Sequence, residues 1–516
     1  MWGGTLARAA VAAAALTSLI APAAAQGADT GRRDIRLPSF DGTEIVTHFF
    51  PAPEGARDAA GRAPTVMLGH GWAGSGELDT RAAPSEPSES VDAGLLHRAG
   101  YNVVTWDERG FGDSGGRAQV DSPAYEGRDA QAIIDWISKQ DEAALDAPGD
   151  PRLGMAGGSY GGGIQLVTAA IDHRVDAITP TIAWHDLENP LLPEGDFRLG
   201  WASLLLGGGQ ASGSLAPEMQ SAYSATLWSG RVRQSDYDWF LARGPGDLVK
   251  NITAPTLILQ GTVDTLFTLR DGIKNYEMLR AAGTPVRMVW FCGGHGACMV
   301  DPGPRGEVAR ATVAWLDRWL RDDTTVDTGA PFTWLADDGR WRSAPSWPPA
   351  PGAPLRASAS GRMQIRPGTA SGNPIAAMPA QGGWSVPIPT PAAADVVGAP
   401  QLTLTYKGTG WPRRDTHVFA QVVRRVASGR REVIGNQASP IPVLLDGRQR
   451  TLSLALEPIA ARVEPGDELS LQLVDSSALF DAQRTSGALN ATVTIELPTA
   501  AAATRVAAGS AAPAGP

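Results

Sequence analysis

A chain of 516 residues is longer than one hydrophobic core usually supports, so two or more domains are expected. An apolar content of 43% and a charged content of 19% are typical of a soluble globular protein. The formal net charge of −10 argues against nucleic acid or an anionic membrane as a partner.

The N-terminal segment has the features of a secretory signal. Arg8 provides a short positive region, residues 9–20 are mostly apolar, and Ala23 to Ala25 provide small residues for cleavage before Gln26. The apolar run is too short to span a bilayer comfortably, and no other stretch reaches spanning length. We therefore expect residues 1–25 to be a signal peptide and the mature protein to be secreted, with no stable membrane insertion.

Short apolar runs alternate with helix-period runs through residues 34–322. "DIRLPSFDGTEIVTHFF" predicts a hairpin around Asp41 and Gly42, and "APTVMLGHG", "YNVVTWDERG", "APTLILQG" and "TPVRMVWFCG" predict buried strands. "RDAQAIIDWISKQ" and "EVARATVAWLDRWL" have helical spacing. This alternation predicts an α/β catalytic domain with a parallel sheet covered on both faces.

Residues 185–253 break the alternation and are rich in Trp, Leu and Gly. They predict a helical cap inserted at the carboxyl ends of the strands, where such insertions shape the pocket. Trp201, Leu204, Leu205 and Trp228 suggest that this pocket is apolar.

The pattern changes to alternating β-like runs beyond Asp322. "QLTLTYKG", "HVFAQVVRRV", "TLSLALEPI", "ELSLQLVD" and "ATVTIEL" are separated by turn signals and predict a β-sandwich or jelly roll over residues 331–498. Residues 499–516, rich in Ala, Gly and Pro, are expected to be a disordered tail.

Two Gly-x-Ser-x-Gly patterns compete for a nucleophile. Ser114 lies in Gly-Asp-Ser-Gly-Gly, as in trypsin-like proteases, but that interpretation needs an all-β double barrel and the surroundings here are α/β. Ser159 follows the strand-like "LGMAG" and precedes the helical "IQLVTAA", which is the strand–turn–helix of a nucleophile elbow. Ser159 is therefore the expected nucleophile and Ser114 a turn residue.

The oxyanion hole of such a site needs two N–H donors. The first is expected from Tyr160, which follows the nucleophile at a helix N-terminus. The second is expected from Trp72, in the loop "LGHGWAGS" after an early strand, with His70 fixing that loop.

The chain order of this fold places the acid and then the histidine after the serine. His295 follows the last apolar run in a glycine-rich loop and is the expected base, while His185 is a candidate for lining the pocket. Asp264, at the end of a buried strand, is the expected acid, with Asp271 as the alternative. The triad chemistry needs neither a metal nor an organic cofactor.

The two cysteines of the chain, Cys292 and Cys298, flank His295. In an exported chain such a pair predicts a disulfide, which would hold the base in place. The segment "CGGHGAC" offers only three zinc ligands and no second cluster lies nearby, so we expect no metal site.

Taken together, "GGSYGG", "WDERGFGDSGG", "RGPGDLVKNITAPTLILQGTVDTLF", "CGGHG" and "FTWLADDGRWRSAPSWPP" resemble the cocaine esterase / X-prolyl dipeptidyl peptidase family. The resemblance covers about residues 34–495. It implies an α/β-hydrolase fold with a helical cap and an all-β, galactose-binding-like jelly roll. It also implies serine hydrolysis of esters, or of amides after proline, with the catalytic roles on Ser159, Asp264 and His295.

The sequence departs from the family at two points. Cocaine-esterase-like members place a tyrosine hydroxyl in the oxyanion hole, whereas this loop has Trp72, so a backbone donor is expected. The acidic groups with which X-prolyl peptidases hold a substrate amine are not evident. A small-molecule ester is therefore favoured over a short peptide as the substrate, and a catalytically dead binding protein is the alternative of another class. The sequence does not predict an oligomeric state.

Overall fold

The computed structural model describes residues 31–80, 91–368, 371–426, 428–501 and 504–505. The expected signal peptide lies outside the described residues. Within them, none of the helices is both long and apolar enough to cross a membrane.

The N-terminal two thirds of the chain is built on a twisted mixed sheet. The strands of this part are β1 (Arg33–Pro38), β2 (Glu44–Phe50), β3 (Thr65–Gly69), β4 (Asn102–Trp106), β5 (Leu145–Ala147), β6 (Asp150–Pro151), β7 (Leu153–Gly158), β8 (Val175–Thr181), β9 (Thr256–Gly261), β10 (Val286–Phe291), β11 (Phe332–Leu335) and β12 (Trp341–Ala344). Strands β5 and β6 form a separate small hairpin, and the others belong to the sheet. The order in the sheet is β1-β2-β4-β3-β7-β8-β9-β10-β11-β12. The strands from β4 to β11 run parallel, and the hairpin β1–β2 and strand β12 add antiparallel edges.

Helices cover both faces of this sheet, as the alternation of strands and helices predicts. They are α1 (Ala93–Arg98), α2 (Glu126–Ile137), α3 (Tyr160–Ile171), α4 (Glu188–Leu191), α5 (Leu199–Ser212), α6 (Pro217–Ser229), α7 (Gln234–Leu241), α8 (Leu269–Ala282) and α9 (Glu307–Leu320), with short 3-10 turns at Glu54–Ala56, Pro193–Gly195, Gly246–Asn251 and Ile434–Asn436. Ile134 and Leu166 pack on one face of the sheet, and Leu96 and Leu316 on the other. Helices α4 to α7 lie between β8 and β9, within the expected cap.

The C-terminal part of the chain is all β. Its strands are β13 (Leu355–Ile365), β14 (Trp384–Ile388), β15 (Ala394–Gly398), β16 (Gln401–Trp411), β17 (Asp415–Arg425), β18 (Arg431–Val433), β19 (Ser439–Leu444), β20 (Asp446–Ala455), β21 (Ile459–Val463), β22 (Glu468–Val474), β23 (Ser486–Leu497), β24 (Thr499–Ala500) and β25 (Thr504–Arg505). Two antiparallel sheets, β13-β23-β16-β20 and β14-β22-β17-β18 with β19 on β17, enclose a second apolar core. A small third sheet, β21-β15-β24, accompanies them.

The strands at both ends of this region differ from the sequence expectation. The sequence places β11 and β12 in a C-terminal domain that begins at residue 331, whereas β11 pairs with β10 and extends the catalytic sheet. All four residues of β11, "FTWL", are buried, and their apolar character suits either sheet. Residues 499–500 and 504–505, in the expected disordered tail, form strands, and β25 pairs with β12.

Candidate active site

Ser159 occupies a strained turn between β7 and α3. Its φ of 58° and ψ of −116° lie in a region that non-glycine residues rarely adopt, at a cost on the order of 1–3 kcal/mol. The turn packs tightly on the loop after β3, because a Cβ at Gly161 would lie 2.1 Å from the Gly69 carbonyl oxygen. The sharp turn leaves the Ser159 hydroxyl half-exposed at the carboxyl end of the sheet.

The structure brings His295 and Asp264 to this hydroxyl. His295 Nε2 lies 2.7 Å from Ser159 Oγ, and His295 Nδ1 lies 2.7 Å from Asp264 Oδ2. Asp264 follows β9 and His295 follows β10, so neighbouring parallel strands deliver both side chains to one edge of the sheet. The Ser–His–Asp arrangement expected from the sequence therefore has hydrogen-bonding geometry.

Backbone groups hold the Asp264 carboxylate in place. Its Oδ1 accepts the N–H groups of Leu266 and Phe267, each at 2.9 Å, and its Oδ2 also accepts the His295 N–H at 3.1 Å. The carboxylate is fully buried, and these backbone donors satisfy both of its oxygens. It is thus fixed as an acceptor for the imidazole.

The imidazole of His295 is packed as well as hydrogen-bonded. The rings of Trp201 and Phe267 contact it edge-on, with centroids 5.7 Å and 5.1 Å away. The expected disulfide between Cys292 and Cys298 is present and closes the loop that carries it. Both features restrict the orientation of the ring.

The two residues expected to supply oxyanion donors, Trp72 and Tyr160, line the same cavity as Ser159. Gly69 pairs with Gly157 in the β3–β7 register, which places the loop holding Trp72 next to the turn. The Trp72 indole N–H donates to the Leu205 carbonyl at 2.8 Å, which leaves the backbone N–H as its candidate donor. Among the hydrogen bonds of the described residues, neither the Trp72 nor the Tyr160 backbone N–H has a protein acceptor.

The other histidines and the second serine have structural contacts. His70 Nε2 accepts the Glu108 N–H at 2.9 Å, and burial lowers the pKa of His70. The neutral ring therefore holds its loop against the backbone of Glu108. His185 is fully buried against Asn275 and does not reach the cavity at Ser159, so its interpretation as a pocket residue is wrong. Ser114 donates to the Asp107 carbonyl at 2.7 Å within a turn.

Asp271, the alternative acid, belongs to a helix terminus. Its carboxylate accepts the Thr268 N–H at 3.1 Å in the capping box that begins α8. The carboxylate also accepts the His185 N–H. It is therefore occupied away from His295.

An apolar cavity of about 90 Å³ opens at Ser159 beneath the cap. Aliphatic and aromatic side chains from α3 to α7 and the neighbouring loops form its walls, and none of the lining residues carries a formal charge. Leu205 lines it, as the cap composition suggests, whereas Trp228 is 90% exposed and Trp201 packs on His295 instead. The cavity therefore suits a small apolar group bonded to a carbonyl carbon.

A buried carboxyl cluster lies behind Tyr160, and sequence reasoning missed it. Glu108, Asp121 and Glu126 are each fully buried. The Tyr160 hydroxyl lies 3.4 Å from Glu126 Oε1 and donates to it. Burial raises the pKa of all three carboxyls, that of Glu126 to about 7, and their mutual repulsion adds to the rise for Glu108 and Asp121.

No metal site accompanies these groups in the described part of the chain. Among those residues, no three or more His, Cys, Asp or Glu side chains are arranged to hold a metal ion.

Part of the chain matches a known protein family. Residues 41–297 match the model of the S15 family of X-Pro dipeptidyl-peptidases. An uncharacterized 31.7 kDa protein of Escherichia coli is 31% identical over 144 residues, which are 28% of this chain and 44% of that protein. The chain thus covers less than half the length of this relative.

Solved structures share the fold over nearly the whole chain. An aminopeptidase from a marine sediment Thaumarchaeota archaeon has a TM-score of 0.67 at 15% identity, covering 93% of this chain and 98% of its own. A CocE/NonD family hydrolase from Staphylococcus aureus has a TM-score of 0.65 at 14% identity, covering 92% and 97%. An α-amino acid ester hydrolase has a TM-score of 0.64 at 13% identity, covering 93% and 99%.

These matches agree with the α/β sheet, the helical cap and the C-terminal all-β region. The chain has the α/β-hydrolase fold, and its residues 41–297 belong to the S15 family of X-Pro dipeptidyl-peptidases.

Proposed function

We propose that this protein hydrolyses small-molecule carboxylic esters with Ser159 as the nucleophile, His295 as the base and Asp264 as the orienting acid. The observation that carries the proposal is the continuous hydrogen-bonded path from Ser159 Oγ through the imidazole to the buried carboxylate. A serine beside a base that is itself held by a carboxylate is the arrangement required for covalent acyl transfer.

The reaction begins when His295 Nε2 takes the proton of Ser159 as Oγ attacks the ester carbonyl. The carboxylate of Asp264 stabilises the imidazolium that results. Backbone N–H groups of Tyr160 and Trp72 donate to the oxyanion of the tetrahedral intermediate, and the N-terminus of α3 adds a favourable dipole.

The intermediate collapses when His295 returns the proton to the leaving alkoxide. An acyl-enzyme on Ser159 remains, with its apolar acyl group in the cavity beneath the cap. A water molecule, deprotonated by His295, then attacks the acyl carbonyl, and protonation of Ser159 Oγ completes the cycle.

The lining of the cavity favours an ester over an X-Pro dipeptide. A dipeptidyl peptidase must bind the ammonium group of its substrate, and none of the residues that line the cavity provides a carboxylate for it. The match to the X-Pro dipeptidyl-peptidase family nevertheless supports amide hydrolysis as the second candidate. Hydrolysis of nitrophenyl acetate and butyrate should exceed that of Ala-Pro and Gly-Pro anilides, and the reverse order would establish the second candidate.

Labelling with a fluorophosphonate probe tests the nucleophile directly. The wild-type protein and Ser114→Ala, the matched control in the other Gly-x-Ser-x-Gly turn, should both be labelled, whereas Ser159→Ala should not. Labelling of Ser159→Ala, or a wild-type protein that neither reacts with the probe nor cleaves esters, would contradict the proposal and favour a binding protein.

We propose that the enzyme acts outside the cytoplasm. The disulfide that closes the loop of His295 supports an oxidising location. Fractionation of the producing cells tests this. The protein should be found in the extracytoplasmic fraction, and there Cys292 and Cys298 should react with an alkylating agent only after reduction.

A further inference from the structure

A second and larger cleft lies between the cap and the C-terminal sandwich. Its volume is about 820 Å³, and polar and charged side chains line much of it. It shares the wall residues Leu192, Phe197, Thr226 and Val232 with the apolar cavity at Ser159. The two spaces are therefore neighbours, one apolar and one polar.

Two exposed tryptophans, Trp228 and Trp411, each stand two residues from a lining residue of this cleft, Gly230 and Arg413. Trp228 is the penultimate residue of α6 and is 90% exposed, and Trp411 is the last residue of β16 and is 75% exposed. Neither ring packs in the interior, although tryptophan is among the side chains that gain most from leaving water.

Arginines hold the two tryptophans on one rim. Arg413, two residues after Trp411, donates to the Ser229 carbonyl at 2.6 Å. Arg484 donates to the Leu227 carbonyl at 3.0 Å. These contacts satisfy carbonyls at the C-terminal end of α6 and join the cap to the sandwich, so the rim is a fixed part of the structure.

The cleft below the rim offers planar, paired hydrogen-bonding groups. Arg484 forms an ion pair with Asp481 at 3.0 Å, and the exposed Arg231 forms another with Asp415. Such pairs present donors and acceptors side by side, which suits neighbouring hydroxyl groups of a ligand.

The charge of the cleft excludes an anionic ligand. Five carboxylates and three arginines line it, and the chain as a whole carries a net charge of −10. An anionic lipid surface or a nucleic acid would be repelled. A neutral ligand that stacks on indole rings and also places hydroxyl groups in this cleft combines apolar C–H faces with polar edges.

We propose that the cleft and its tryptophan rim bind a neutral saccharide, with Trp228 and Trp411 stacking on sugar rings. The saccharide has two sources with the same chemistry. It is either a separate glycan that the enzyme binds or the sugar part of the ester substrate. The second source rests on the proposed esterase function.

Native electrophoresis in gels that contain xylan, galactomannan, hydroxyethylcellulose or soluble starch tests the binding. The wild-type protein should be retarded by at least one of these neutral polysaccharides, and Trp228→Ala and Trp411→Ala should each weaken binding roughly tenfold, about 1.4 kcal/mol. Leu78→Ala, at a position 52% exposed on the catalytic domain, is the matched control and should bind as the wild type does.

Kinetics then separate the two sources. Neither tryptophan variant should change kcat for nitrophenyl acetate. A raised KM for acetylated sugars in both variants identifies the substrate's own sugar, and an unchanged KM identifies a separate glycan.

Three results would overturn the inference: no retardation of the wild-type protein by any of the polysaccharides, retardation that survives in the Trp228→Ala/Trp411→Ala double variant, or tryptophan-dependent binding to phosphatidylcholine vesicles in place of polysaccharide. The binding assay is independent of catalysis, since Ser159→Ala should be retarded normally. An inactive wild-type protein that still binds would therefore refute the esterase proposal alone.

Discussion

The carboxyl of Glu126 contributes to the dependence of this protein's stability on pH, and Glu126→Gln is expected to remove that contribution. Glu126 is fully buried at the first turn of α2. Its oxygens accept the Gln119 N–H at 2.5 Å and the Ser122 N–H at 2.9 Å. Burial outweighs these hydrogen bonds and raises the pKa of the carboxyl from 4.5 to about 7.

The sign and size of the effect follow from proton linkage. Because the folded protein retains the Glu126 proton to a higher pH than the unfolded chain does, the free energy of unfolding falls as the pH rises from 4.5 to about 7. At about 1.4 kcal/mol per pH unit, the wild-type protein loses about 3 kcal/mol over this interval through Glu126. Glutamine stays neutral, so the variant should not show this loss.

The variant also has a cost that does not depend on pH. An amide nitrogen accepts no hydrogen bond, so one of the N–H groups of Gln119 and Ser122 loses its acceptor, which costs roughly 1–3 kcal/mol. We therefore expect Glu126→Gln to be less stable than the wild type at pH 5 and to match or exceed it at pH 8.

Urea unfolding followed by tryptophan fluorescence at pH 5, 6, 7 and 8 measures this difference. Asp135→Asn, at an exposed position of the same helix, is the matched control, and its free energy of unfolding should change with pH as that of the wild type does. If the free energy of unfolding of Glu126→Gln changed with pH as steeply as that of the wild type, Glu126 would be ionised in the folded protein at little cost. That result would refute the claim that burial raises its pKa.

Three further predictions concern the site itself. Reduction of the Cys292–Cys298 disulfide should lower kcat for esters by roughly tenfold or more with little change in KM, because the imidazole loses its fixed orientation, and the same reductant should not affect Cys292→Ser/Cys298→Ser further. Gly161→Ala should destabilise the protein by roughly 3 kcal/mol or more, measured by thermal unfolding, because its Cβ would clash with the Gly69 carbonyl 2.1 Å away; normal stability would refute the close approach. Met219→Ala enlarges the acyl cavity and should raise the ratio of kcat/KM for butyrate over acetate esters by roughly tenfold, whereas an unchanged ratio would place the acyl group elsewhere.

Local patterns predicted much of the catalytic domain. The apolar periodicity of "EVARATVAWLDRWL" coincides with helix α9, and the Asp41-Gly42 signal lies between the paired strands β1 and β2. The order of serine, acid and histidine at strand ends predicted that Ser159, Asp264 and His295 would meet, because the carboxyl ends of parallel strands share one edge of the sheet. Their catalytic roles stay predictions until they are tested.

Other features depend on packing that a local pattern does not contain. A buried strand such as β11 has the same apolar sequence whichever sheet it joins, so its pairing with β10 was not predictable. Glu108, Asp121 and Glu126 stand in separate segments, each an ordinary acidic residue in sequence, and only the fold buries them together. Trp228 likewise lies in a helix with several other apolar residues, and the sequence does not show which of them are buried.

The C-terminal sandwich is built into the catalytic site and is more than an appended module. Gln437 donates to the Asp264 carbonyl at 2.5 Å, and Thr265 donates to the Ile375 carbonyl at 2.6 Å, so the sandwich holds the loop that carries the acid. Its rim also holds the end of cap helix α6 through Arg413 and Arg484. Both Asp264, which contacts His295, and helix α6, which lines the cavity at Ser159, are therefore held by the same domain. A substitution at either contact can therefore displace Asp264 from His295 or helix α6 from the cavity at Ser159.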